Sequence, residues 1–305
     1  MRSILVTLCA FCIVALNAQE TYLHCGTILD VESGKKLNQK TIIVNGNNIT
    51  AIQDGFVAAS DGAEVIDLKD KTILPGFIDM HVHIEGQSSP TRYIESFTLN
   101  EADVALRSTI YAEKTLIAGF TTVRDLGGSG VNIALRNAIN KGYVKGPRIF
   151  TAGKSLATTG GHADPTNGHK KIWMGDPGPN EGVVNSPEDG KKAVRQRYKD
   201  GSDCIKITAT GGVLSVAKSG RNPQFTIEEI KAITDTAKDY GMLTAAHAHG
   251  DEGMQRAVKG GIKTIEHGTF MSEETMDLMK QYDAYMVPTI SAGKKVAENA
   301  KKPGY

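Results

Sequence analysis

The pattern of this chain changes at Leu74-Pro-Gly-Phe-Ile-Asp-Met-His81-Val-His83, an apolar run that ends in two histidines. Alternate side chains of a β-strand point to the same face, which places His81 and His83 about 6–7 Å apart on one face. Neutral imidazole is a good ligand for zinc and similar ions, so the pair suits one metal ion. An exposed strand can carry the same pair by chance, and the rest of the chain decides between the two interpretations.

The sequence before this run is typical of short strands joined by turns. Turn signals occur at Ser33-Gly34, Asn45-Gly46-Asn47 and Asp61-Gly62. We therefore expect residues 19–74 to form the N-terminal part of a composite β-sandwich. The predicted strands cover residues 22–29, 41–44, 48–52, 64–68 and 72–74.

After Pro75, apolar β-rich runs alternate with helical patterns, which indicates a parallel sheet covered by helices. Seven such strands over residues 75–305 suit an α/β fold, a (β/α)8 TIM-like barrel that lacks its eighth strand. A doubly wound sheet is the alternative, but no Gly-x-Gly-x-x-Gly follows the first strand. The predicted strands cover residues 77–83, 121–126, 148–152, 204–209, 243–247, 264–267 and 285–288. Helices are predicted over residues 100–118, 187–199, 226–240, 253–259 and 272–282.

The first 18 residues have the pattern of a secretory signal peptide: Arg2, a short apolar region and a small residue, Ala18. This predicts a secreted or periplasmic protein, and a membrane anchor is the alternative. Outside this segment only two cysteines remain, Cys25 and Cys204, too few for a disulfide framework. The formal net charge of +1 gives no support to nucleic-acid binding.

Side chains that can bind metal stand near the ends of four predicted barrel strands, where the catalytic residues of such barrels lie. The chain has eight histidines, and the ends of three strands carry several of them. Core packing alone does not explain that concentration. The residues are His81 and His83 on the first strand, Lys206 on the fourth, His247 and His249 on the fifth, and His267 on the sixth.

Lys206 lies inside an apolar strand, where burial of an ammonium group is costly. Either its side chain points outward to a salt bridge, or burial and nearby metal charge lower its pKa. In the second case the neutral amine can add carbon dioxide, and the resulting carbamate has two oxygens that can bridge two metal ions.

At this point the sequence resembles the amidohydrolase superfamily and, within it, the imidazolonepropionase-like branch, which includes prolidase-like dipeptidases and carboxypeptidases. The resemblance covers nearly all of residues 20–290. It rests on the run that ends at His83 and on three further motifs. These are Ala118-Gly-Phe-Thr-Thr-Val-Arg-Asp-Leu-Gly, Thr159-Gly-Gly-His-Ala-Asp and Ala245-Ala-His-Ala-His-Gly.

The resemblance implies a site with two divalent metal ions, zinc being the first candidate. By this resemblance His81 and His83 bind the more buried ion, Lys206 bridges both ions as its carbamate, and His247 and His267 bind the second. A hydroxide between the ions would attack an amide or peptide bond. The implied substrate is a small molecule, either an Xaa-Pro-like dipeptide or an N-acyl amino acid.

Several other residues have open roles at this stage. His162 lies in a glycine-containing loop and is expected to contact the substrate carbonyl or the oxyanion, with a surface position as the alternative. His249 is a ligand, a pocket residue, a side chain that orients a ligand, or an outward-facing side chain. Asp79 and Asp125 could orient a ligand, or Asp125 could cap the following loop. A long Gly/Pro-rich loop with His169 and Trp173 is a candidate lid.

Family members carry an Asp at the end of the eighth strand that transfers a proton to the leaving group. The sequence to Tyr305 has no counterpart of that strand, and we expect a C-terminally truncated, fragmentary chain that is unstable or inactive alone. Two other functions stay open. One is a mononuclear cyclic-amide hydrolase of the imidazolonepropionase type, against which Lys206 argues. The other is a non-catalytic metal- or ligand-binding fragment. The sequence gives no oligomeric state.

Overall fold

The computed structural model describes residues 19–302, apart from residues 214 and 216. The chain divides into two compact units, with the boundary between Pro75 and Gly76. The predicted signal peptide over residues 1–18 lies outside the described residues. Within the described ranges, no helix combines the length and the apolar character needed to cross a membrane.

The first unit contains a four-stranded sheet with the spatial order β3-β2-β1-β4. The central strand β1 pairs in antiparallel with β2 and in parallel with β4. Its core is formed by Cys25, Ile28 and Ile42. The strands are β1 (Glu20–Leu29), β2 (Lys36–Asn45), β3 (Asn48–Asp54) and β4 (Glu64–Ile73).

Strand β4 corrects the sequence prediction of two short strands over residues 64–68 and 72–74. It is continuous, and the polar residues in its middle lie where the pairing with β1 shifts register after Cys25. At that point Gly26 of β1 lies so close to β4 that a Cβ atom would stand 2.1 Å from the Lys69 carbonyl oxygen. A glycine allows this approach of two backbones.

The described part of the second unit alternates strands with helices, and all of its strand pairs are parallel. The strands form two sheets, with orders β5-β6-β7 and β8-β9-β10-β11. Leu156, which follows β7, hydrogen-bonds to Lys206 and Thr208 of β8 and connects the sheets. The strands are β5 (Phe77–Val82), β6 (Phe120–Asp125), β7 (Arg148–Thr151), β8 (Cys204–Thr208), β9 (Leu243–Ala248), β10 (Thr264–His267) and β11 (Tyr285–Val287).

The longer helices begin where the sequence carries capping residues. The Ser186 hydroxyl accepts from the Asp189 amide at the start of α5, and Thr226 with Glu229 forms the predicted capping box of α6. The helices are α1 (Arg92–Thr98), α2 (Glu101–Ile117), α3 (Val131–Asn140), α4 (Lys171–Met174), α5 (Pro187–Asp200), α6 (Ile227–Asp239), α7 (Asp251–Lys259), α8 (Glu273–Gln281) and α9 (Ile290–Asn299).

The core of the second unit lies between β8, β9, β10 and the helices beside them. Ile205, Ile207 and Ile265 are fully buried there, and Ile230 and Ile233 of α6 pack against the sheet. Strands buried on both faces explain the nearly continuous apolar runs in the sequence. They also fix the positions of the polar side chains near the carboxyl ends of the strands.

Candidate functional site

Six of the eight histidines lie close together near the carboxyl ends of the strands in the second unit. The distances between ring centroids link His81 to His83 (5.3 Å) and to His267 (4.9 Å), and His267 to His247 (4.6 Å). We call this set the histidine cluster. Its members are His81, His83, His162, His247, His249 and His267.

Each ring of the predicted His-x-His pair is held through its Nδ1 atom by an oxygen. His81 Nδ1 lies 2.8 Å from a carboxylate oxygen of Glu266, and His83 Nδ1 lies 2.7 Å from the carbonyl oxygen of Gly127. Carboxylate and carbonyl oxygens only accept, so Nδ1 of both rings carries the hydrogen. The Nε2 atoms of both rings therefore keep a free lone pair, as a metal ligand requires.

The histidines of β9 and β10 have different partners. His247 Nε2 donates to the carbonyl oxygen of Gly211 at 3.1 Å, which leaves the lone pair on Nδ1. His267 Nδ1 lies 2.7 Å from the hydroxyl of Thr289. His249 Nδ1 lies 2.7 Å from the hydroxyl of Thr269, and its ring stacks on His267 at 5.0 Å. His249 is therefore buried in the cluster, and the alternative of an outward-facing side chain is wrong.

Lys206 is buried in β8, with 3% of its surface exposed. Its Nζ atom has a distant contact of 3.4 Å to the carbonyl oxygen of Leu126, and the predicted alternative of an outward salt bridge is wrong. Burial lowers the pKa of the Lys206 amine to about 8. A neutral amine is therefore accessible near neutral pH.

Burial also keeps the histidines of the cluster neutral. It lowers the pKa of His81 and His247 far below the usual value for histidine, and that of His162 and of His83 to about 4. The Lys206 ammonium adds to this effect on all four rings. Neutral imidazole is the form that binds metal ions.

His162 lies inside the cluster and not on the surface, which was its alternative position. Its ring stacks on His247 at 4.2 Å, and its backbone amide donates to the Gln224 side chain. The ring occupies space that a side chain at Gly212 would fill, because a Cβ atom there would stand 2.2 Å from it. The buried Nδ1 atom of His162 has no hydrogen-bond partner among the described residues.

The two aspartates singled out from the sequence accept hydrogen bonds from backbone amides. Asp79 accepts from the backbone amide of His81 and does not contact its ring. Asp125 accepts from the amides of Ile84 and Gly127 and from the Asn132 side chain, so it caps the loop after β6. Burial raises the pKa of Asp125 to about 6.

Two charged residues of the site were missed by the sequence prediction. Glu266 is fully buried next to His267 and contacts both His81 and Arg124. Glu266 could have been singled out from the sequence, since it is a charged residue in an apolar strand, as Lys206 is. Its partner Arg124, near the carboxyl end of β6, is likewise a charged residue in a strand.

A cleft of about 450 Å³ opens beside His83. Its walls include the side chains of Glu101, Lys154 and Glu181, and residues 163–177 contribute to one side. In that segment the ring of Trp173 contacts Phe97 of α1, with centroids 6.0 Å apart. Part of the predicted lid segment therefore lines the cleft, and its role as a lid stays a prediction.

The donor set of the cluster fits divalent metal ions. His, Cys, Asp and Glu side chains alone form no group of three arranged for a metal ion within residues 19–302, leaving out 214 and 216. The fit depends on Lys206 and on the hydrogen-bond pattern, since His81, His83 and His247 each keep one ring nitrogen with a lone pair. The assignment of individual ligands stays a prediction.

The chain belongs to the amidohydrolase family, whose model matches residues 72–303. Members of this family generally use divalent metal ions. The predicted superfamily is therefore confirmed, and with it the α/β fold of that family. A barrel with a missing eighth strand stays a prediction.

Two solved structures resemble the chain over most of its length. A Xaa-Pro dipeptidase with methionine bound in its active site is 51% identical, with a TM-score of 0.88, over 94% of this chain and 71% of the other. A prolidase complexed with N-methylphosphonate-L-proline is 34% identical, with a TM-score of 0.82, over 93% of this chain and 71% of the other.

Among curated proteins, ochratoxinase of Aspergillus niger is 31% identical over 234 residues. The match covers 72% of this chain and 48% of ochratoxinase. The chain thus spans about half the length of the curated relatives it matches. The predicted class of enzyme, a hydrolase that acts on C–N bonds, has the support of the family and of these relatives.

Proposed function

We propose that this chain carries the active site of a metal-dependent amidohydrolase that cleaves the amide bond of an Xaa-Pro-like dipeptide or an N-acyl amino acid. The observation that carries the proposal is the hydrogen-bond pattern of the His-x-His pair. Two rings on one strand end both direct Nδ1–H away to an acceptor and keep Nε2 for a ligand. The similarity to a Xaa-Pro dipeptidase and to ochratoxinase supports an amide substrate.

His81 and His83 would hold one divalent ion, and His247 and His267 a second, with Lys206 between them. The Lys206 amine is suited to this role because its pKa of about 8 leaves a reactive neutral fraction. Addition of carbon dioxide forms an N–C bond, releases one proton and leaves an anionic carbamate with two oxygen donors. The chemistry that two such ions supply is a water nucleophile of lowered pKa and a polarised substrate carbonyl.

The remaining residues bind and orient the substrate. His162 is placed to donate a hydrogen bond to the scissile carbonyl, because its ring stacks on His247 and its buried Nδ1 has no partner among the described residues. The cleft beside His83 admits a small molecule, and Lys154 supplies the positive charge in a wall that also carries the carboxylates of Glu101 and Glu181. A carboxylate of a dipeptide or an N-acyl amino acid is the complementary group.

We also propose that the protein is secreted or periplasmic, from the signal-peptide pattern of residues 1–18. Fractionation of cells that express the full sequence tests this directly. Mature protein outside the cytoplasm, with an N-terminus after Ala18, supports the proposal. Retention of the first 18 residues contradicts it.

Metal content and hydrolysis test the proposed activity. Purified without chelator, the chain is expected to bind about two divalent ions, the number such centres hold. Lys206→Met should lower this content, while the control Lys154→Met, which changes a half-buried cleft lysine, should leave it unchanged. A wild-type chain that binds no ion contradicts the metal site. Because the sequence to Tyr305 is expected to be inactive alone, the substrate class is tested on a protein extended to include the eighth-strand Asp. Such a metal-loaded protein that cleaves neither Xaa-Pro dipeptides nor N-acyl amino acids contradicts the substrate class.

A further inference from the structure

A fully buried carboxylate lies behind the His-x-His pair. Glu266 Oε2 is 2.8 Å from His81 Nδ1, and Glu266 Oε1 accepts from Arg124 Nη2 at 2.7 Å and from the Thr264 hydroxyl at 2.6 Å. The side chain of Glu266 has no exposed surface. Both of its oxygens therefore have donors from the protein.

Arg124 completes this arrangement from β6. Its Nη1 atom donates to the Thr264 hydroxyl at 3.1 Å, and its Nε atom donates to the carbonyl oxygen of Met80 at 2.8 Å. Arg124 thus holds the carboxylate of Glu266 and also the backbone one residue before His81. Guanidinium is a fixed fork of donors that stays charged, so it imposes the direction of these bonds.

The direction of the bonds determines the state of His81. With Arg124 and Thr264 both donating to Oε1, the carboxylate presents Oε2 as an acceptor to the imidazole. His81 must then donate from Nδ1, and its lone pair lies on Nε2. Burying the charges of Arg124 and Glu266 is costly, and a buried ion pair is weak evidence for a gain in stability.

We propose that Arg124 and Glu266 are positioning residues that select the Nδ1–H tautomer of His81 and thereby present Nε2 as a metal donor. The proposal rests on the proposed function in one respect, the role of His81 as a ligand. It goes further by assigning a task to two buried residues on β6 and β10. Partners of this kind fix the tautomer and orientation of a ligand in metal sites generally.

The first test is the tautomer of the metal-free wild-type chain. In chelator-treated protein with ¹⁵N-labelled histidine, the two ring nitrogens have distinct chemical shifts, and His81→Asn identifies the signals of His81 by difference. The expected result is a protonated Nδ1 and an unprotonated Nε2. A protonated Nε2 on His81 overturns the proposal, and this measurement needs no variant of Glu266.

The second test is Glu266→Gln, which keeps the shape and removes the charge. The Arg124 donors will hold the amide oxygen, so the amide nitrogen will face His81 Nδ1 and favour the opposite tautomer. Affinity for Zn²⁺ is then expected to fall by about 10–100-fold, the range found when such partners are lost. Unchanged tautomer and unchanged affinity in a folded Glu266→Gln protein overturn the proposal.

Asp203→Asn is the matched control. Asp203 pairs with Arg136 at 2.6 Å on the amino end of β8, so the substitution makes the same chemical change in an ion pair outside the cluster. Its His81 signals and its Zn²⁺ affinity should match the wild type. If the wild-type chain binds no Zn²⁺, the proposed function fails, while the tautomer of the metal-free chain still decides the role of Glu266.

Discussion

His267 combines a functional position with an unfavourable backbone conformation. At the end of β10 its φ angle is 74°, and that of Thr289, whose hydroxyl contacts its ring, is 45°. A residue with a Cβ atom in the left-handed region costs about 1–2 kcal/mol. Strain of this kind concentrates at functional sites, where surrounding structure maintains it. The backbone conformation therefore indicates a functional role for His267, the residue that the sequence also singled out.

Substitution of His267 should reveal that strain. Both His267→Ala and His267→Gly remove the ring, but only glycine tolerates a φ of 74°. We expect the glycine variant to be more stable than the alanine variant by about 1 kcal/mol, as measured by urea unfolding of the metal-free chain. His249, whose φ angle is not positive, is the control. There the alanine variant should be the more stable of the two, and the same order at His267 would refute the strain.

Gly212 is expected to control the position of His162. A methyl group at Gly212 would stand 2.2 Å from the His162 ring, so in Gly212→Ala the ring must move off His247. If His162 contacts the scissile carbonyl, kcat/KM of a protein extended to include the eighth-strand Asp should fall by about 10-fold or more, and loss of the whole hydrogen bond is worth about 10²–10³. Gly220→Ala is the control, because its nearest neighbours would be 3.9 Å away. Equal activity of both variants argues against a role for His162.

The sequence identified the polar residues of the site unevenly. Lys206 stood out as a charge in an apolar strand, and of its two predicted positions it takes the buried one. Glu266 and Arg124 are likewise charged residues in strands, but their role depends on contact across the sheets: Glu266 and Arg124 are 142 residues apart in the chain. Asp79, two residues before His81, was one of two candidates to orient a ligand, and it accepts from the backbone amide of His81. The alternation of side chains along a strand predicts the face on which a residue lies, but it does not predict which group that residue contacts.

At the scale of elements, a local capping signal predicted α6, whereas α3 was missed. Helix α6 begins at Thr226 with a capping box that the sequence displays. Helix α3 begins after Gly130, without a side-chain cap of its own. Glu85, which follows β5, accepts from the amide of Asn132 in the first turn and from the amide of Ser129 just before the helix. A start signal 47 residues away cannot be read from the local pattern.

Removal of the capping box should weaken α6. In Thr226→Ala the Glu229 amide loses its acceptor, which costs about 1 kcal/mol at a typical N-cap. The urea midpoint should fall by the corresponding amount, with no change in the slope of the transition. Thr226→Ser keeps the hydroxyl and should stay within a few tenths of a kcal/mol of the wild type. A Thr226→Ala protein as stable as Thr226→Ser would show that packing alone maintains this helix end.

At the scale of the whole molecule, the buried histidines make folding stability depend on pH. The buried histidines of the cluster have lowered pKa values, chiefly because burial disfavours their charged form. Unfolding returns each of them to the ordinary pKa of about 6.5. The unfolded chain therefore binds more protons than the folded chain below that pH, and folding stability depends on it.

The metal-free chain should accordingly lose stability as the pH falls. The contribution of His81, His162 and His247 is fully present above pH 6.5 and is lost progressively as the pH falls through the lowered values, to about 4 for His162. Asp125, with its pKa raised to about 6, acts in the opposite sense between pH 4 and 6, but it is one group against several. Lys206 is protonated in both states in this range and adds no slope.

Urea unfolding in the presence of a chelator measures this dependence. The midpoint at pH 5 should lie below that at pH 7, and His247→Gln should reduce the difference because one buried imidazole is gone. A surface change, Lys280→Gln, is the control, since Lys280 pairs with Asp277 at an exposed helix position and should leave the difference intact. A midpoint that is constant or higher at pH 5 would mean that the cluster is charged in the folded chain. It could then not offer the neutral imidazoles on which the proposed metal site depends.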